Sequence, residues 1–191
     1  MGEIHLIVGP MFAGKTSEML RLLNRHARAG KRCLVVKPRC DDRSLQASGE
    51  LSRPESWVYT HDNPSAAPAR EVQLLRDAQA EILEKFDVVG VDEGQFLPDL
   101  GAVCDELAQR GVTVVVAALD GDFHRKPYAS VVALLGKCES VCKLRAVCAK
   151  CKIRDASFTA KIDHSNPAHT VIGGEETYQA RCRTCFGSFV P

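Results

Sequence analysis

The sequence predicts an α/β fold, a parallel β-sheet with helices on both faces, followed by a small cysteine-rich module. Three observations carry that expectation. Short apolar runs at Ile4–Val8, Cys33–Lys37, Phe86–Asp92 and Val112–Leu119 have the length and composition of strands buried on both faces. Segments with helical spacing alternate with them, the pattern of right-handed strand–helix–strand units. Past Val147 the alternation stops and C-x-x-C pairs take over.

Ile4–Val8 is the first strand and leads into GPMFAGKT, Gly9 to Thr16. Met19, Leu22, Leu23, His26 and Ala27 then recur at helical spacing, with Gly30 as the stop. Among these neighbours His26 is expected to pack. CLVVK is the second strand. From Arg39 to about Pro68 the pattern dissolves into Asp, Ser, Pro and Asn, which reads as a surface loop with WVYT an island suited to a short strand. Val72, Leu75, Ile82 and Phe86 mark an amphipathic helix, and FDVVGVD is the third strand. Leu100, Val103, Cys104, Leu107 and Ala108 trace another helix closed by Gly111, before VTVVVAAL, the fourth strand. A shorter helix over Ala129–Leu135 and a fifth strand over Ser140–Leu144 complete a RecA-like P-loop domain, residues 1–146. Residues 147–191 are expected to form a small zinc-ribbon domain too short for a large core of its own.

At 191 residues the chain fits one domain, or one with a small appendage. Its net charge is +1, without the basic footprint of a nucleic-acid binder, so no nucleic-acid partner is expected. No apolar run approaches the roughly 18 residues that span a bilayer. The N-terminus enters a strand without a signal peptide, so a cytoplasmic location and no membrane partner are expected. Nine cysteines in a reducing compartment read as thiols and metal ligands. Cys33 and Cys104 are expected to be small buried hydrophobes.

GPMFAGKT has the spacing of a P-loop. Backbone N–H groups from Gly9, Pro10–Ala13 and Gly14 onward surround phosphate oxygens at a helix N-terminus, although Pro10 itself brings no N–H. Lys15 reaches the β and γ phosphates and the Thr16 hydroxyl takes magnesium. A strand before it and a helix after it are the context that makes the motif informative. Asp92, at the end of an apolar run, can hold the same magnesium, and Glu93 beside it is the candidate general base. Asp-Glu at this place suits an ATP hydrolase as well as a kinase. An acceptor pocket would discriminate them. Gln95 and Phe96 follow in DEGQF, and LDGDFHRKPY supplies Leu119, Phe123 and Tyr128, which suit a flat apolar ring, with Arg125 a candidate for offsetting phosphate charge.

Cys148 and Cys151 in CAKC, and Cys182 and Cys185 in CRTC, are two knuckles separated by 30 residues. Four thiolates in this pattern match one closed, structural zinc site. The metal would clamp the base of a long loop containing Gly173-Gly174 and Tyr178. His164 and His169 are expected to be loop-surface residues.

GPMFAGKT, VDEGQF, ALDGDFHRKPY, CAKC and VIGGEETYQARCRTC in this order resemble the zinc-containing class of cytosolic thymidine kinases, over Ile4 to about Phe186. The resemblance implies transfer of the γ-phosphate of ATP, with magnesium, to the 5′-hydroxyl of thymidine in nucleotide salvage. It implies Glu93 as the base for that hydroxyl and Gln95 and Phe96 beside the nucleoside. Met11, Leu119, Phe123 and Tyr128 would surround thymine. The long loop would be the family's lasso, with Thr170, Val171, Ile172, Gly173 and Gly174 at the base and Tyr178 against it. Asp62, in THD, matches a family segment near the phosphates and sugar. A homotetramer and feedback inhibition by thymidine triphosphate are also implied.

One methyl in a pocket is worth about 1–3 kcal/mol, so deoxyuridine is expected as a second substrate and a cytosine nucleoside as a poor one. Three residues depart from the family pattern. Tyr128 stands where Phe is frequent, Asn63 where arginine is common in the animal members, and Lys161 where arginine is frequent, which makes Lys161 a candidate to carry that charge. The sequence ends soon after CRTC, so the expectation is that the regulatory tail of some animal members is either lacking or trimmed. The rival reading is a P-loop ATPase whose zinc module binds nucleic acid. The near-neutral charge and the lack of an aromatic-basic stripe weigh against it.

Overall fold

The computed structural model describes residues 1–39, 56–59, 66–162, 174 and 176–187, with backbone alone for 56–59 and 66–68. Its main sheet contains β1 (Ile4–Gly9), β2 (Cys33–Pro38), β3 (Ser56–Tyr59), β4 (Ala66–Val72), β5 (Val88–Val91), β6 (Thr113–Leu119) and β7 (Ser140–Lys143). Their order is β3-β4-β2-β5-β6-β1-β7. All pairings are parallel except β3 against β4. As in a RecA-like sheet, one strand, β6, separates the P-loop strand from the strand ending at Asp92.

Side chains alternate between two apolar layers, as they must along a strand. Leu6, Val36, Val89, Val91, Val114 and Val116 face one way. They pack against α2 (Arg76–Lys85), α3 (Leu100–Gln109) and α4 (Ala129–Leu135) through Ile82, Leu107 and Leu134. Ile7, Val35, Val88, Val115 and Ala117 face α1 (Lys15–Arg28) through Met19, Leu20 and Leu23. Each Val, Leu, Ile or Met side chain among them contributes about 1.5–3 kcal/mol when taken out of water. His26 is half-buried on α1. Two backbone N–H groups at the start of α2, Leu75 and Arg76, are satisfied from outside their own helix by the Asp99 carboxylate, at 3.0 and 2.9 Å.

The sheet differs from the expectation at one place. Ala66–Val72 is strand β4, between β3 and β2, so Val72 ends a strand rather than opening a helix. AAPAREV carries one β-branched residue and a proline, which hides it from propensity. Pro68 is tolerated because pairing with β2 begins one residue later, at Ala69.

Gly90, in the middle of β5, lets α1 approach the sheet. A Cβ there would lie 2.5 Å from Leu23 Cδ1 and 3.2 Å from Met19 Sδ. Gly90→Ala is therefore expected to cost about 1–3 kcal/mol, read as a lower urea midpoint. An unchanged midpoint would mean that α1 yields at no cost.

After β7 the chain builds a module from two short antiparallel pairs. They are β8 (Ala146–Val147) with β9 (Asp155–Ala156), and β10 (Phe158–Lys161) with β11 (Tyr178–Arg181). A five-residue helix, α5 (Arg183–Gly187), follows. Its small core of Ala146, Cys148, Ala156, Ala180 and Cys182 takes in Phe12 and Ala13 from the P-loop. Among the described residues, no helix is long and apolar enough to cross a membrane.

Candidate active site

The P-loop path needs its glycines. Gly9 (φ 153°) passes so close to Leu144 that a Cβ would lie 2.6 Å from that carbonyl oxygen, and Gly14 opens α1 in the left-handed region at φ 77°. Phe12 is also left-handed, at φ 64°, which L side chains seldom adopt. Lys15 donates to the Pro10 carbonyl at 2.8 Å. At the head of α1 the Thr16 hydroxyl donates to the Asp92 carboxylate at 2.9 Å. These are two hard oxygen donors of the kind magnesium takes beside phosphates. Asp92 is only 6% exposed, so its charge depends on such partners.

Glu93 follows in the left-handed region at φ 51°. Strain of about 1–3 kcal/mol is held there by what surrounds it. Gln95 does much of the holding. Its amide donates to Glu93 Oε2 at 2.6 Å, and its carbonyl accepts the Leu119 N–H at 2.9 Å. The Gln95 backbone carbonyl accepts from the Ser130 hydroxyl at 3.1 Å. DEGQF is thereby tied to the end of β6 and to α4.

Aromatic rings from DEGQF, from LDGDFHRKPY and from β11 pair with one another. Phe96 meets Tyr128 edge-on at 6.3 Å, and Phe123 lies 6.4 Å from Tyr178. The Lys161 ammonium sits 5.3 Å over the Phe123 ring. Burial first, then the charges of Asp122, Tyr178 and Glu93, push the Tyr128 phenol up to about 12. Tyr178 and Glu93 both lie within electrostatic reach of the Tyr128 phenol.

Other residues were not legible as partners of the site. The Met11 N–H donates to the Thr159 hydroxyl at 3.0 Å, joining the P-loop to β10. The turn after β6 is built by Asp122, whose carboxylate accepts from His124 N–H (2.9 Å) and Lys126 N–H (2.8 Å). That turn holds Arg125 at φ 64°. The Arg125 guanidinium stacks over Phe186 at 5.0 Å and Phe158 at 5.7 Å, both from the cysteine module. A cavity of about 180 Å³ lies along this seam, lined in part by Asp120, Arg125, Lys143 and Phe158. Lys143 closes on Asp120 at 2.6 Å.

The four cysteines converge: the sulfurs of Cys148, Cys151, Cys182 and Cys185 lie within 4.8 Å of one another. Burial opposes ionisation of Cys148, but backbone N–H groups of Cys151, Cys182 and Lys150 outweigh it and bring it down to about 6. Cys185, hydrogen-bonded to Cys182, is pushed up to about 12. Four crowded sulfurs ionise together only around a cation, and this all-sulfur set suits zinc with no position left open. Cys33 is half-buried and Cys104 buried, Cys138 is half-buried and Cys142 exposed.

Asp62, Asn63, Thr170, Val171, Ile172, Gly173, His164 and His169 lie outside the described residues. Gly174 is described. Its carbonyl accepts from Thr177 and Tyr178 N–H at 3.1 and 2.9 Å, which starts β11.

Comparison with known proteins decides the family. The thymidine kinase family model matches residues 2–186. The chain belongs to the thymidine kinase family. Thymidine kinase of Myxoma virus (strain Lausanne) is 41% identical over 97% of this chain and 96% of its own. Thymidine kinase 1 of Dictyostelium discoideum is 41% identical over 98% of this chain and 78% of its own. The cytosolic thymidine kinase of Gallus gallus is 41% identical over 97% of this chain and 77% of its own.

Proposed function

We propose that this chain is an ATP-dependent thymidine kinase that passes the γ-phosphate of ATP to the 5′-hydroxyl of thymidine, with deoxyuridine as a second substrate. One observation carries the mechanism. Asp92 and Glu93 are adjacent yet differently committed, Asp92 to the Thr16 hydroxyl of the P-loop and Glu93 to Gln95. Backbone groups from Gly9 to Thr16 and the Lys15 ammonium bind the triphosphate. Magnesium, arriving with ATP, supplies charge neutralisation there, and Thr16 and Asp92 would hold it. Glu93 takes the proton of the 5′-hydroxyl as it attacks, a group that no P-loop needs merely to bind nucleotide.

The base of the nucleoside lies among Met11, Gln95, Phe96, Leu119, Phe123, Tyr128 and Tyr178, with Thr170–Gly174 closing over it. Asp62 and Lys161 serve sugar or phosphate. We assign Arg125 a different part from the phosphate contact its sequence position suggests. Stacked on Phe158 and Phe186, it pins the turn carrying Phe123 to the module. Residues 1–146 and 147–191 act as catalytic and lasso units, the second held by one structural zinc on Cys148, Cys151, Cys182 and Cys185. A homotetramer inhibited by thymidine triphosphate, working in the cytoplasm, completes the reading. The name of the chicken relative says cytosolic of that protein.

ADP release from ATP and magnesium, with thymidine or with single-stranded DNA, tests this. Thymidine is expected to be required and DNA to be without effect. Stimulation by DNA alone would favour the ATPase reading.

A further inference from the structure

The most deeply buried charge in the described residues has no part in the chemistry above. Lys37 is 2% exposed, and its ammonium lies 3.3 Å from the Glu71 carboxylate. Glu71 is its register partner on β4. Register also decides its neighbour on the other side. Val36 stands opposite Val91, and the Asp92 N–H continues the ladder onto the Val36 carbonyl at 2.9 Å. Lys37 therefore stands beside Asp92, one strand spacing of about 4.8 Å away along the backbone.

The side chains share a face as well. Val35 packs with α1 and Val36 with the opposite layer, so Lys37 points toward α1. Gly90 faces Leu23 and Met19 of α1, so Asp92, two residues on, does too. The Thr16 hydroxyl reaches Asp92 from that same helix. Glu71, Lys37, Asp92 and Thr16 thus form one line across the C-terminal edge of the sheet. A buried ion pair that serves only stability is readily replaced by apolar side chains. An ammonium that pairs with Glu71 and stands one strand away from the residue that carries the carboxylate at the phosphate site has a further use.

We propose that Lys37 is a positioning residue for the metal carboxylate. Its ammonium, anchored by Glu71, holds Asp92 in the orientation in which it and the Thr16 hydroxyl receive magnesium-ATP. This rests on the reading of Asp92 as a metal ligand. Groups that orient a metal ligand are worth roughly 10- to 100-fold in metal affinity.

The test is calorimetric ATP binding to the full chain without thymidine, across a magnesium titration and in EDTA. Lys37→Met is expected to raise the half-saturating magnesium concentration about 10- to 100-fold, with metal-free ATP affinity unchanged. Lys37→Arg should recover most of the loss. An unshifted magnesium dependence, or equal weakening with and without the metal, would overturn the proposal. If Lys37→Met does not fold, the double replacement Lys37→Met with Glu71→Met, which leaves no unpaired carboxylate on β4, carries the same two outcomes. Asp92→Asn separates the levels. If it shifts the magnesium dependence and the Lys37 variants do not, this inference alone fails. If Asp92→Asn shifts nothing, the metal reading of Asp92 fails and the inference with it.

Discussion

Glu93→Gln is expected to lower thymidine-dependent turnover by about 10²- to 10⁴-fold, the usual worth of a positioned general base. ATP affinity should stay near that of the unaltered protein. The replacement keeps shape and leaves an oxygen that the Gln95 amide can still bond, so the link to Leu119 persists. Only the ability to take a proton is lost. Rapid-quench turnover with equilibrium ATP binding measured in parallel checks the split. Turnover within tenfold of normal would remove Glu93 from the base role, and a parallel loss of ATP affinity would make it a binding residue instead. Gln95→Ala should show a milder version of the same pattern, because it frees Glu93 to turn without removing it.

Removing the metal should be as damaging, by another route. Cys148→Ser is expected to abolish binding of one zinc per chain and to cost about 100-fold or more in turnover, the scale of a small misplacement at the reacting atoms. A structural zinc is worth about 10–16 kcal/mol in isolated fingers, against about 5–15 kcal/mol for a whole domain. A core of five small residues cannot replace it. The sheet has its own two apolar layers and should keep its far-ultraviolet dichroism. ATP binding should nevertheless weaken, because Phe12 and Ala13 lose their packing and the Met11 N–H loses Thr159. Metal analysis together with nucleotide binding checks both halves. A zinc-free protein of normal activity would refute the structural role.

Much of the sheet was readable because buried parallel strands are continuous apolar runs, and α4 falls on the predicted Ala129–Leu135. Strand β4 was hidden by AAPAREV, whose place depends on neighbours rather than propensity. GPMFAGKT and the two C-x-x-C pairs could be read because their spacing is itself the geometry: contiguous backbone in one, short knuckles in the other. What joins them could not. Thr159, Phe158 and Phe186 are ordinary residues until the fold brings them to Met11 and Arg125. The left-handed backbone at Phe12, Glu93 and Arg125 is equally silent, since none is a residue type that favours it. Lys37 looked like the polar end of a strand. Only the register with Glu71 and Asp92 gives it a neighbourhood.

The central claim is that one site binds ATP and hands its γ-phosphate to a nucleoside hydroxyl. Following the label from γ-³²P ATP, with magnesium and thymidine present, tests it most directly. The account predicts label in thymidine 5′-monophosphate in step with ADP, and almost none released without thymidine. Label accumulating as inorganic phosphate at the same rate with and without thymidine would contradict it.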